Sequence, residues 1–98
     1  MSALREKEVE VHLRDRVKAL GGKAYKFVSP GNSGVPDRLV CLPGGIKIFV
    51  EAKAPGKKPT ALQKAEQAKL VKLGNSVFNL DSKAEVDKFI EYCELLIR

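Results

Sequence analysis

The chain has one histidine, two cysteines and no apolar run close to the ~18 residues of a membrane span. No segment is therefore expected to cross a bilayer. The charged opening MSALREKEVE lacks the apolar centre of a secretion signal, which leads to the expectation of a soluble, cytoplasmic protein. Cys41 and Cys93 show no metal-ligand spacing and are expected to be small buried apolar residues rather than a disulfide. His12 lies off the apolar stripe of its helix and is expected at the surface, which weighs against histidine-dependent catalysis. Acidic residues are scarce in the middle of the chain. Between Lys53 and Lys72 only Glu66 stands against six lysines. No linker or internal repeat interrupts the 98 residues. Residues 1–98 are read as a single domain, near the lower limit at which a core sustains itself without disulfides or oligomerisation.

The net charge of +6 favours an anionic partner without choosing between nucleic acid and a membrane surface. Its distribution is more informative. Lys53, Lys57, Lys58, Lys64, Lys69 and Lys72 fall together, whereas Asp81 to Arg98 carries five acidic residues against three basic ones. A polyanion should approach the lysine-rich side, and the last helix should point away from it.

Hydrophobic periodicity sets out the elements in order. Ser2 is a potential N-cap, and a helix is expected over Ala3–Leu20, stopped by Gly21-Gly22. Val9, Leu13, Val17 and Leu20 form its apolar stripe. Glu6 falls within that arc, about 20° from Leu13 at ~100° per residue, while Glu10 lies at the margin and Glu8 points away. A carboxylate in a core-facing stripe needs a cationic partner, unless Glu6 escapes to water in the exposed first turns. Lys23–Val28 reads as a short strand with Tyr25 and Phe27 on one face. Ser29–Pro36 is a loop rich in Gly, Pro, Ser and Asn. The second strand opens at Pro36-Asp37, the chain turns at Pro43-Gly44-Gly45, and Ile46–Lys53 alternates as a third strand. After a break at Ala54–Pro59, Thr60 caps a helix running to about Leu73, with Gln63 in capping-box spacing. Ser76–Leu80 is a fourth strand, and the strand–helix–strand connection implies parallel pairing. Ser82 and Glu85 make a second capping box ahead of a final amphipathic helix.

The hairpin is where chemistry gathers. Side chains of a strand repeat every second residue, so Glu51 and Lys53 share a face. The Pro43-Gly44-Gly45 turn can lay Asp37 beside them. Two carboxylates and an ammonium then meet at one end of a sheet. Such oxygens suit Mg²⁺ or Mn²⁺, which one or two carboxylates commonly hold with water and phosphate. The plainer alternative is a turn-capping Asp37 and a solvated Glu51–Lys53 pair.

These residues resemble a known superfamily, the PD-(D/E)xK nucleases, with Pro36-Asp37 as the first half of the motif and Glu51-Ala52-Lys53 as the second. Gly34-Val35-Pro36-Asp37, Phe49–Lys53 and Gln63 resemble more narrowly the VRR-NUC family of virus-type replication-repair nucleases. The resemblance runs from Glu6 to about Asp81. It implies an α/β fold, a restriction-endonuclease-like αβββαβ core with a mixed sheet flanked by helices, here with an extra C-terminal helix. It also implies a metal-dependent DNA endonuclease. Asp37, Glu51 and the Ala52 carbonyl would hold Mg²⁺ or Mn²⁺, and Lys53 would assist the attacking water. Glu6, preferred to Glu10, and Gln63 would complete the catalytic surroundings. Gln63 has a second possible job, closing the helix cap.

Lys26, Ser29, Asn32, Lys57 and Lys58 are the candidate DNA contacts. For Lys26 the alternative is an ordinary edge-strand lysine, and for the loop around Ser29 and Asn32 a connection without ligand. Branched DNA such as a four-way junction, a homodimer and a phage or bacterial setting are the expected context. The rival reading is a non-catalytic nucleic-acid-binding module, against which the intact Asp37, Glu51 and Lys53 weigh. A subunit active only within a larger replication or recombination complex is the third.

Overall fold

The computed structural model describes residues 2–98, with side chains from Arg5 onward. The element order is α1 (Ser2–Ala19), β1 (Lys23–Lys26), β2 (Arg38–Leu42), β3 (Ile46–Ala52), α2 (Ala61–Lys72), β4 (Val77–Leu80) and α3 (Lys83–Ile97). The expected α/β order, αβββαβα, is observed, and boundaries move by only a few residues. The strands form one mixed sheet in the order β1-β2-β3-β4. β1, β2 and β3 pair antiparallel, and β4 joins β3 in parallel.

Local chemistry accounts for the breaks between elements. α1 stops because Gly21 takes φ +85°, a conformation that costs glycine little. The Gly21 and Gly22 N–H groups then bond back to Lys18 and Val17 carbonyls at 2.9 and 3.0 Å, which satisfies helix-end acceptors. Thr60 and Gln63 form a complete reciprocal capping box at α2. At α3 the Ser82 hydroxyl accepts the Glu85 N–H at 3.1 Å.

Alternation gives the sheet two unlike faces. Val40, Leu42, Ile48, Val50, Ala52 and Leu80 form the core face, packed under Val9, Leu13 and Val17 of α1 and Val86, Phe89, Ile90 and Cys93 of α3. Burial of this cluster is the main source of stability, at ~25 cal/mol per Å² of apolar surface removed from water. α1 and α3 also touch each other. There Asp87 receives His12 Nε2 at 2.7 Å and the Arg16 guanidinium. His12 is thus a part-buried bridge between helices rather than the free surface residue expected.

α2 lies against the opposite face, and its one buried residue is polar, Gln67. It lies over the end of the sheet that carries Glu51, while Asn79 beside it stays exposed. Phe27 and Phe49 pack edge to face at 5.4 Å on this side, yet Tyr25 remains 48% exposed. Cys41, expected buried, is only half-buried because this face is incompletely covered; Cys93 is buried, and both are free. Among the described residues, no helix is long and apolar enough to cross a membrane.

Candidate active site

The site is assembled where β2 begins and β3 ends. Strand β2 starts one residue after Asp37, whose own backbone is pinned from the β1 side: its carbonyl accepts the Phe27 N–H at 2.8 Å. The Asp37 side chain reaches the other neighbour, with Oδ1 accepting the Ala52 N–H at 3.0 Å. Fully buried Pro36 sets the approach to this position. The antiparallel register, with Arg38 opposite Val50, therefore brings Asp37 to the Glu51–Ala52 end of β3.

Glu51 is 5% exposed. Its Oε2 accepts the Gln63 side-chain amide at 3.3 Å and lies 3.7 Å from Lys53 Nζ. Its Oε1 is buried with no hydrogen-bond partner. Burial, and then the neighbouring Asp37 carboxylate, push the Glu51 carboxyl up to about 7; Lys53 and the Asp37 N–H oppose this. Burial likewise raises the Asp37 carboxyl, against the Ala52 N–H. A dry acid with an empty lone-pair direction, beside a second raised acid, is poised to receive a cation. The set fits the divalent ion implied by the sequence: two carboxylates at adjoining positions, with Ala52 between them and Lys53. Among the described residues no group of three or more His, Cys, Asp or Glu side chains forms a metal-binding cluster. Mg²⁺ does not require one, since water and substrate phosphate commonly complete its shell.

Two of the three glutamates of α1, Glu6 and Glu10, bear on this end of the sheet. Glu6 is near enough to add to the rise at Glu51. Glu10 adds to that at Asp37, while its Oε1 receives Arg38 Nη2 at 2.6 Å. Glu6 therefore acts electrostatically on Glu51, and Glu10 on Asp37. Gln63 closes the helix cap and also reaches Glu51. Its Oε1 accepts the Thr60 N–H at 2.9 Å, which leaves its amide nitrogen for Glu51.

The candidate DNA contacts spread along the rim. Lys26 is exposed and faces Arg38 across β1 and β2. Ser29 and Asn32 bond to each other, Asn32 Nδ2 to Ser29 Oγ at 2.9 Å, and shape the turn of their loop. Lys57 and Lys58 are exposed and line a concavity of about 150 Å³ with Lys53, Asp81 and Glu85. This corrects the expectation that the last helix points away from the lysines. Because β4 runs parallel to β3, it ends where β3 ends, and α3 must start beside Lys53. Two roomier concavities, about 400 and 490 Å³, lie along the outer side of α1. They hold no buried carboxylate, so volume does not locate the chemistry.

Sequence reasoning missed Arg38 and the pair Gln67–Asn79. A signal for Arg38 existed. It alternates with core residues Val40 and Leu42, and a cation on a core face needs an acid, which marginal Glu10 could supply.

Geometry and charge define a carboxylate–lysine site of the PD-(D/E)xK kind on a mixed α/β sheet. No family profile matches the chain. It is 58% identical over 83 residues to the protein named Putative nuclease p44 of Acyrthosiphon pisum secondary endosymbiont phage 1, covering 85% of this chain and 89% of that one. A solved structure described as a VRR_NUC domain superposes with TM-score 0.84 at 40% identity, covering 90% of this chain and 96% of its own. The chain belongs to the VRR-NUC family.

Proposed function

We propose that this VRR-NUC protein is a metal-dependent endonuclease that hydrolyses phosphodiester bonds in DNA. The observation that carries this reading is the meeting of Asp37 and buried Glu51, its Oε1 unpartnered and Lys53 at 3.7 Å. The name of the phage relative supports the same class of reaction. Asp37, Glu51 and the Ala52 carbonyl would hold Mg²⁺ or Mn²⁺. When bound, such an ion acidifies a water and stabilises charge developing on phosphate.

The protein groups supply the rest. Lys53 Nζ offsets negative charge as the phosphorane forms and holds the attacking water by hydrogen bond. Gln63 fixes the Glu51 carboxylate through Oε2, and the unpartnered Oε1 would be the oxygen available to a metal ion. Glu6 would add a further negative charge near Glu51. Lys57 and Lys58, with Lys26 and the Ser29–Asn32 turn at the rim, hold flanking phosphates.

The substrate we favour is branched DNA, in particular a four-way junction, cut by a homodimer. One site cuts one strand, and a two-fold pair of sites matches strands related by symmetry. The half-covered sheet face, with Tyr25 48% and Val28 72% exposed, supports burial against a copy of the chain. Such an enzyme would work inside a phage-infected or bacterial cell.

The test is cleavage of junction, flap, fork, duplex and single-stranded DNA with Mg²⁺, Mn²⁺ or EDTA, alongside light scattering. Metal-dependent nicking is expected, strongest on the junction, from a species of twice the 10.8 kDa chain mass. DNA binding without any cleavage would favour the non-catalytic module. A fully active monomer would remove the dimer.

A further inference from the structure

Helix α2 is held in an unusual way. Most helices dock through an apolar stripe, yet the buried residue of α2 is Gln67, 9% exposed. Leu62, Val71 and Leu73 of the same segment are 55%, 56% and 79% exposed. What Gln67 meets is Asn79 of β4, and the two amides bond in both directions. Gln67 Nε2 donates to Asn79 Oδ1 at 2.8 Å, and Asn79 Nδ2 donates to Gln67 Oε1 at 2.9 Å. A two-way amide pair tolerates little sliding, because a shift breaks both bonds at once, whereas an apolar contact slides at small cost.

Two relations tie this pair to the site. Gln67 is four residues after Gln63, so both project from one helix face, and Gln63 Nε2 donates to Glu51 at 3.3 Å. Asn79 is the register partner of Glu51 across the parallel β3–β4 ladder. The helix and the strand pair are therefore linked twice, four residues apart on α2 and one strand apart on the sheet. A third constraint closes the frame at the helix start. A Cβ on Gly34, which has φ +91°, would lie 2.8 Å from the Leu62 carbonyl oxygen, so the loop leading to Asp37 passes hard against the first turn of α2.

We propose that Gln67 and Asn79 are positioning residues, whose reciprocal amide pair sets the height of α2 over the sheet so that Gln63 meets Glu51. The inference rests on the nuclease reading only for its catalytic consequence; the geometric claim stands on the protein without metal.

The experiment has two arms. In the first, ¹H–¹⁵N spectra of the metal-free protein follow the Gln63 side-chain amide in wild type, Gln67→Ala, Asn79→Ala and the exchanged pair Gln67→Asn with Asn79→Gln. Slow hydrogen exchange of the Gln63 amide is expected in wild type, fast exchange in both alanine variants, and recovered protection in the exchanged pair. In the second arm, kcat and KM are measured for the same proteins with and without Gln63→Ala. Each alanine variant should lower kcat by about ten- to a hundredfold with KM little changed, and should cost nothing further once Gln63 is alanine. An unaltered Gln63 amide in the alanine variants, or losses that multiply with that of Gln63→Ala, would overturn the proposal. If an alanine variant does not fold, the exchanged pair decides: a folded exchanged pair lacking Gln63 protection overturns it. A wild type that cleaves nothing would refute the nuclease reading, while the first arm still judges the amide pair.

Discussion

Arg38 of β2 and Glu10 of α1 form an ion pair at 2.6 Å with side chains only 15% and 17% exposed, directly behind Asp37. Arg38 lowers the Asp37 carboxyl while Glu10 raises it. Removing one partner strands the other in a dry place. Arg38→Ala should therefore cost on the order of 3 kcal/mol of stability, read from urea unfolding. Arg38→Met with Glu10→Leu should recover most of it, since no charge is left uncompensated. An exposed-pair cost below about 1 kcal/mol would show that water reaches the pair in solution.

Glu6 acts on the other carboxylate, adding to the rise at Glu51. Glu6→Gln is expected to slow metal-dependent cleavage at little cost in stability, while Glu10→Gln should cost stability first. Paired melting curves and cleavage rates separate the two. Equal effects on both readouts would mean that α1 is rotated relative to the geometry described above.

Asp37→Ala, Glu51→Ala and Lys53→Ala should each abolish cleavage and leave DNA affinity nearly intact, because non-specific affinity comes from lysines along the phosphate backbone. Glu51→Gln should in addition raise the melting temperature of the metal-free protein near pH 8, by removing a buried charge that lacks a full set of partners. Wild-type cleavage by any of the three alanine variants would refute the site.

The pH dependence follows from Glu51, raised from 4.5 to about 7. Its folded-state value exceeds the unfolded one, so the folded protein holds the proton more tightly. That contribution to stability is complete below about 4.5 and is lost as pH rises through about 7. Its size is on the order of 3 kcal/mol. Metal-free melting temperature should fall over this window, Mg²⁺ should restore it above the window and not below, and Glu51→Gln should flatten the curve. A Mg²⁺ effect as large at pH 5 as at pH 8 would count against Glu51 as a ligand.

Lys57 and Lys58 changed together to alanine should weaken binding across DNA sequences and reduce the salt dependence by about one to two counterions. Fluorescence anisotropy against salt concentration measures the slope. An unchanged slope would take the pair out of the interface.

Much of this protein was determined by short-range features of the sequence. Period-two alternation in Ile46–Ala52, the Gly21 stop and the Thr60–Gln63 spacing act over a few residues, so the element order and the Asp37–Glu51–Lys53 pattern could be read directly. Gln63 shows where such reading ends. Its spacing allowed either a cap or a contact to the acid site, and only the docked helix reveals that the two ends of one amide do both. Gln67–Asn79 and the raised Glu51 carboxyl were decided by tertiary structure alone, and Arg38–Glu10, signalled only by a cation on a core face, was fixed there too. Each depends on which residues of distant segments meet and how much water is excluded there. Those quantities come from the packing of α1 and α2 on opposite faces of the sheet, which no local pattern encodes.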